Sequence, residues 1–142
     1  MSFEIVRAAL STELNNAMGI AFPAYPVQFE NKRINQPSDT IWVDFTLHET
    51  GARRASIGTA QSFQRRMGLV AAVIRAPENT GVRQALLVAE TLRDLYEEKT
   101  LDLAGSNRII FGVATIKKTG LSNGWYPVVL TCPFAWNTTK PA

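Results

Sequence analysis

The stretch TIWVDFTLHE, residues 40–49, decides the fold class. Ile41, Val43, Phe45 and Leu47 alternate with Trp42, Asp44, Thr46 and His48, and a period of two places one set of side chains on each face of a β-strand. A half-buried strand is predicted here. Downstream, Met67 to Arg75 is a run of apolar and small residues, the pattern of a central strand covered on both sides. Two more strands are predicted at Arg108 to Lys118 and Trp125 to Phe134, paired as a hairpin through the turn residues 119–124. A short strand around Val27 to Asn31 precedes them.

Two segments change period. Between Phe3 and Met18, Val6, Leu10, Leu14, Ala17 and Met18 fall on one stripe, with Arg7, Glu13 and Asn15 elsewhere. That spacing gives an amphipathic helix, with Ser2 placed to cap its start and Gly19 its end. A second helix is predicted from about Val82 to Lys99, buried through Ala85, Leu86, Ala89, Leu92 and Tyr96, with Asn79 or Thr80 as its cap. The order reads α-β-β-β(-β)-α-β-β. This is an α+β fold: a mixed, mainly antiparallel sheet with two helices packed on one face.

The chain has 142 residues, enough for one domain with one core. No linker, repeat or low-complexity block divides it, so a single domain over 1–142 is expected, with a mobile tail at 137–142. The lone Cys132 cannot form an intrachain disulfide, which points to a reducing compartment of synthesis. Residues 1–10 carry Glu4 and Arg7 and do not read as a signal peptide, and no stretch is long and apolar enough for a membrane span. A soluble protein with no membrane partner is expected. The formal charge of +3 is a mild excess that does not by itself identify a nucleic-acid binder.

Two helices, each about 10 Å across, cover about four strands on one face only. Several strands are nonetheless apolar on both faces. Leu69 and Val73 oppose Val70 and Ile74; Ile109, Phe111 and Val113 oppose Ile110 and Ile116; Val129 opposes Val128 and Leu130. Four such side chains left wet would forfeit about 1.5–3 kcal/mol each, comparable with the whole stability of a domain. A partner chain is the simplest cover, and loops folded over the second face are the alternative.

The stretch 53–66 carries the pairs Arg53-Arg54 and Arg65-Arg66, which put charge on both faces of any strand. Neither face of it can be core. It reads as a projecting hairpin or loop that grips a neighbour through Arg53, Arg54, Phe63, Arg65 and Arg66, the plainer reading being a solvated loop.

No catalytic residue, cofactor or metal is expected, and the protein is not read as an enzyme. With one histidine, His48, and one cysteine, neither a histidine-based metal centre nor a tetrahedral zinc site can be built in one chain. Asp44 and His48 share a strand face but lie about 13 Å apart, beyond hydrogen-bond reach. The turn 77–81 lacks the Gly-x-x-x-x-Gly-Lys-Ser/Thr pattern of a phosphate loop.

The chain resembles the tail terminator, or tail completion, proteins of long-tailed bacteriophages. The likeness rests on the opening helix, Phe29-Glu30-Asn31, Arg66-x-Gly68 before an apolar strand, Pro77-x-x-Thr80-Gly81 with Ala85 and Ala89 in the helix after it, and the closing Gly124-Trp125-Tyr126-x-Val128. The resemblance implies a hexameric ring at the head-proximal end of the tail tube, which halts tube polymerisation and offers a surface for head joining. Its implied partners are copies of itself, the major tail tube protein and head-tail connector proteins, in a virion tail assembled in the host cytoplasm. Specific nucleic-acid binding is not expected. The other readings are a different small ring of the head-tail joint, a nucleic-acid-binding accessory protein, or a small enzyme using carboxylates alone.

Overall fold

The computed structural model describes residues 2–30, 32–54, 61–103, 108–121 and 123–141. Helix α1 spans Phe3–Ala21 and helix α2 Arg83–Tyr96. The strands are β1 (Val27–Gln28), β2 (Trp42–Arg54), β3 (Gln61–Pro77), β4 (Thr100–Asp102), β5 (Arg108–Phe111), β6 (Thr115–Lys118) and β7 (Trp125–Pro141). They form one seven-stranded sheet in the order β1-β2-β3-β7-β5-β4, with β6 also paired to β7. Among the described residues only β1 against β2 is a parallel pair. The α+β class and the one-sided helix layer predicted from the sequence are what the chain adopts.

The sheet's register divides its faces. Val43, Phe45 and Leu47 of β2 lie opposite Ile74, Ala72 and Val70 of β3, which in turn lie opposite Val128, Leu130 and Cys132 of β7. All nine are buried. Onto this inner face α1 lays Val6, Leu10, Leu14 and Met18, and α2 lays Ala85, Val88, Ala89, Leu92 and Tyr96. Tyr96 joins the two helices, its hydroxyl donating to the Leu10 carbonyl at 3.1 Å. A row of aromatic rings continues from Tyr96 through Phe111, Phe134 and Trp136 to Phe3, with neighbouring centroids 5.2 to 6.0 Å apart. Gly68 lies directly opposite Phe134 in the sheet, and the ring fills the space a side chain there would need.

Several local readings change. Ser2 does cap α1, its Oγ accepting from the Ile5 amide, but α1 runs past Gly19 to Ala21. Helix α2 has no side-chain cap: Val82 holds the N-cap position. Thr80 instead donates its hydroxyl to the Pro77 carbonyl at 2.7 Å and locks the turn. Asn79 and Gly81 there have φ of 67° and 81°, a backbone region in which Asn and Gly are at home.

The single strand predicted for 108–118 is two strands, and the cause is Pro133. Phe111 pairs with Phe134, and one step on the Gly112 amide still donates to the Pro133 carbonyl at 2.8 Å. Proline has no N–H to return, so the Gly112 carbonyl takes the Glu98 amide instead. Glu97 accepts from the Ala114 amide through its carboxylate. The chain steps out of the ladder and re-enters at Thr115. Val113 therefore falls in the break, 61% exposed. Ile116 comes to lie opposite Leu130 on the inner face, not with Ile110 as the uninterrupted strand would have had it.

The far end of the sheet also differs from expectation. Residues 137–141, predicted as a tail, are the end of β7 and pair with residues 61–65 of β3. At the other edge, β1 covers only Val43 and Asp44 of β2. Beyond it, the Glu30 side chain accepts from the outward-facing Leu47 amide.

Candidate interaction surface

The two strands of the arm are paired residue by residue. Thr50 is an extra residue between Glu49, opposite Gly68, and Gly51, opposite Met67. This bulge resets the alternation of β2. Past it, Ala52 lies opposite Arg66, Arg53 opposite Arg65, and Arg54 opposite Gln64. The arginine pairs are thus split between the faces. Arg66 takes the inner side, where its Nη1 reaches the Glu49 carboxylate at 3.2 Å. Arg53 and Arg65 are direct cross-strand neighbours on the outer face.

That juxtaposition has an electrostatic cost, because like charges directly opposite in a sheet repel. Among the described residues neither Arg53 nor Arg65 has a carboxylate within ion-pair distance. The arm is also broader than a two-stranded hairpin, since β7 flanks β3 there and sets Asn137 opposite Arg65. The arm's tip, 55–60, and the side chains of Arg54 and Phe63 lie outside the described residues.

The face away from the helices is not uniform. At one end Trp42 is nearly fully buried, although it points outward, because Trp125 meets it edge-on at 6.1 Å and the Arg75 guanidinium sits 5.4 Å over its ring. This is a small second core that the chain supplies itself. Leu69, Val73 and Val129 in the middle are half-buried. At the other end a groove of about 340 Å³ crosses the sheet, lined by Thr50, Arg65, Met67, Ile110, Pro133 and Ala135 among others. Met67 and Ile110 are 38% and 42% exposed. The groove is an apolar floor with cationic residues at its β2–β3 rim.

Among the described side chains, Arg65 is the one predicted contact residue that lines this groove; Arg53 stands beside it and Arg66 is turned to the other face. Sequence reasoning missed Met67, Ile110, Pro133 and Ala135. They come from three strands, and only the register brings them together.

No group of three or more His, Cys, Asp or Glu side chains placed to hold a metal occurs among the described residues. His48 lies on the outer face, with Nε2 3.4 Å from the Thr46 hydroxyl. Cys132 is fully buried on the inner face. Burial, with a smaller contribution from the Glu97 carboxylate, pushes its thiol up to about 11. A raised thiol pKa favours the neutral form in the folded state. That stabilisation is complete below the unfolded thiol's value, about 8.5, and is lost as pH climbs through the folded value. At pH 8 a thiol reagent is expected to leave the native protein unlabelled and to react fully once urea unfolds it. Rapid native labelling at that pH contradicts this account.

No helix is long and apolar enough to cross a membrane among the described residues. Compared with known proteins, the chain matches a family model described as phage tail terminator protein over residues 5–134. No curated protein matches it. Thirteen solved chains do. One of them superposes with a TM-score of 0.74 over 96% of each chain at 19% sequence identity, a likeness that shows the fold alone.

Proposed function

Because the chain belongs to the phage tail terminator family and is thereby a structural component of a phage tail, we propose that it forms a ring of identical copies, a hexamer, at the head-proximal end of the tail tube. There it stops tube polymerisation and presents the surface on which the head is joined. The observation that supports this reading is the one-sided helix layer. The sheet's outer face carries an apolar groove with Met67 and Ile110 exposed beside two arginines without counter-charges, a surface suited to contact with protein.

In this reading the 53–66 arm contacts a neighbouring copy or the tube protein through Arg53, Arg54, Phe63, Arg65 and Arg66. The partners are copies of the chain, the major tail tube protein and the head-tail connector proteins, and the site of assembly is the host cytoplasm. No reaction is assigned to the protein. Burial of protein surface, not turnover, is its work.

The test is electron microscopy of tails assembled in cells that lack this chain. Overlong or polydisperse tube lengths, with heads left unjoined, are the expected result. Tails of uniform normal length that merely fail to meet heads would assign the protein to another ring of the joint, and normal joined particles would remove it from assembly altogether.

A further inference from the structure

The charges left without partners are not confined to the arm. On α2, Leu87, Glu90 and Asp94 recur at helical spacing on the side opposite the buried stripe, and all three are exposed. Leu87 is 39% exposed, and among the described residues neither Glu90 nor Asp94 makes an ion pair. An apolar side chain followed by two unpaired carboxylates is the chemical complement of an apolar groove rimmed by two unpaired arginines. One chain carries both.

We infer that the outer-face groove of one copy receives the α2 stripe of the next copy, with Leu87 on the floor formed by Met67, Ala135 and Ile110, and Glu90 and Asp94 against Arg53 and Arg65. The inference rests on the ring reading above and identifies the surfaces that would build the ring.

The dimensions agree. At 1.5 Å per residue, Leu87 to Asp94 covers about 10 Å of helix. From Ala135 on β7 to Arg53 on β2 is two strand spacings of about 4.8 Å, or about 10 Å. The charge order also agrees along the groove's length. Arg83 begins the stripe on the side of Leu87 away from the carboxylates. Seated this way it heads toward β4, where Asp102 lies on the outer face bonded to Arg108 at 2.7 Å.

The two surfaces lie on opposite layers of the subunit, one on the helices and the other on the bare sheet face. Their contact is therefore heterologous, with each copy offering its stripe to one neighbour and its groove to the other. Such contacts give closed rings when the rotation between copies closes and open filaments when it does not, and not isolated dimers.

Charge exchange tests this directly, by sedimentation velocity of the full chain alone and with purified tail tubes. R53E/R65E sets acid against acid, and E90R/D94R sets base against base, so each double variant is expected to lose at least tenfold in self-association while keeping the wild-type circular dichroism and melt. Mixed together they regain assembly, because each supplies the complement of the other. The quadruple variant assembles by itself, which keeps the test decisive if either double variant folds poorly. Wild-type assembly that both double variants retain, or a mixture and a quadruple variant that both stay dissociated, overturns the assigned surfaces and leaves the ring reading standing. Wild-type protein that assembles neither alone nor on tubes overturns both.

Discussion

Gly68→Ala is expected to cost about 3 kcal/mol, the upper part of the range for overpacking a tight interior, and to lower Tm by on the order of 10 °C for a chain of this size. A Cβ at this position would lie 2.4 Å from Cζ of Phe134 and 2.8 Å from the His48 carbonyl oxygen. The second contact matters more than the first, because a ring can tilt but a backbone carbonyl moves only with its strand. Relieving the clash means displacing β2 next to the bulge that sets the register of the arm. The ring's share can be separated from the strand's. Phe134→Leu in the Gly68→Ala background is expected to recover part of the loss, so that the double variant loses less than the sum of the two single losses. A Gly68→Ala protein that melts with the wild type, as measured by circular dichroism, would show that the sheet opens at this point at no cost.

Phe45→Ala is expected to be more damaging still, at about 3–5 kcal/mol, against a total of about 5–15 kcal/mol for a domain. Phe45 is buried on the inner face, edge-on to Phe29 with centroids 5.8 Å apart, and stands opposite Ala72. The residue directly across the ladder is alanine, too small to fill the void, so most of the cavity persists. Urea unfolding gives the measurement. The instructive control is Ile110→Ala on the outer face, where a side chain of similar apolar character is already 42% exposed. It is expected to stay within about 0.5 kcal/mol, as surface substitutions do. Equal losses at the two positions would mean that the outer face is buried in the free chain.

These contrasts mark what could be read in the sequence. Val6, Leu10, Leu14 and Met18 announced α1, and Ile41 to Leu47 announced β2, because a single periodicity sufficed and the core lay on one side of it. The end of the sheet was hidden for the opposite reason. Residues 137–141 are polar or small, with no alternation of their own, and they become strand because β3 offers a partner edge. Pro133 was visible, yet its effect on residues 112–114 was not, since the lost hydrogen bond belongs to a strand about twenty positions away. The candidate site divides in the same way. The paired arginines stood out by composition, and splitting them between faces followed from strand geometry. That Arg53 would stand opposite Arg65, over a floor of Met67, Ile110 and Ala135, depends on a bulge at Thr50 and on the neighbours of β7. Register is a property of pairs of strands, and local pattern does not encode it.

The carboxylate of Glu30 on the Leu47 amide has a bearing on solubility at high concentration. A bare outermost strand offers a continuous row of amides and carbonyls on which a stranger's backbone can be laid, the first step toward fibrous precipitation. Here β1 occupies the beginning of that row and an anionic plug closes the next available donor. With that stretch of the edge occupied, contact there is left to shape and charge and not to indiscriminate backbone adhesion.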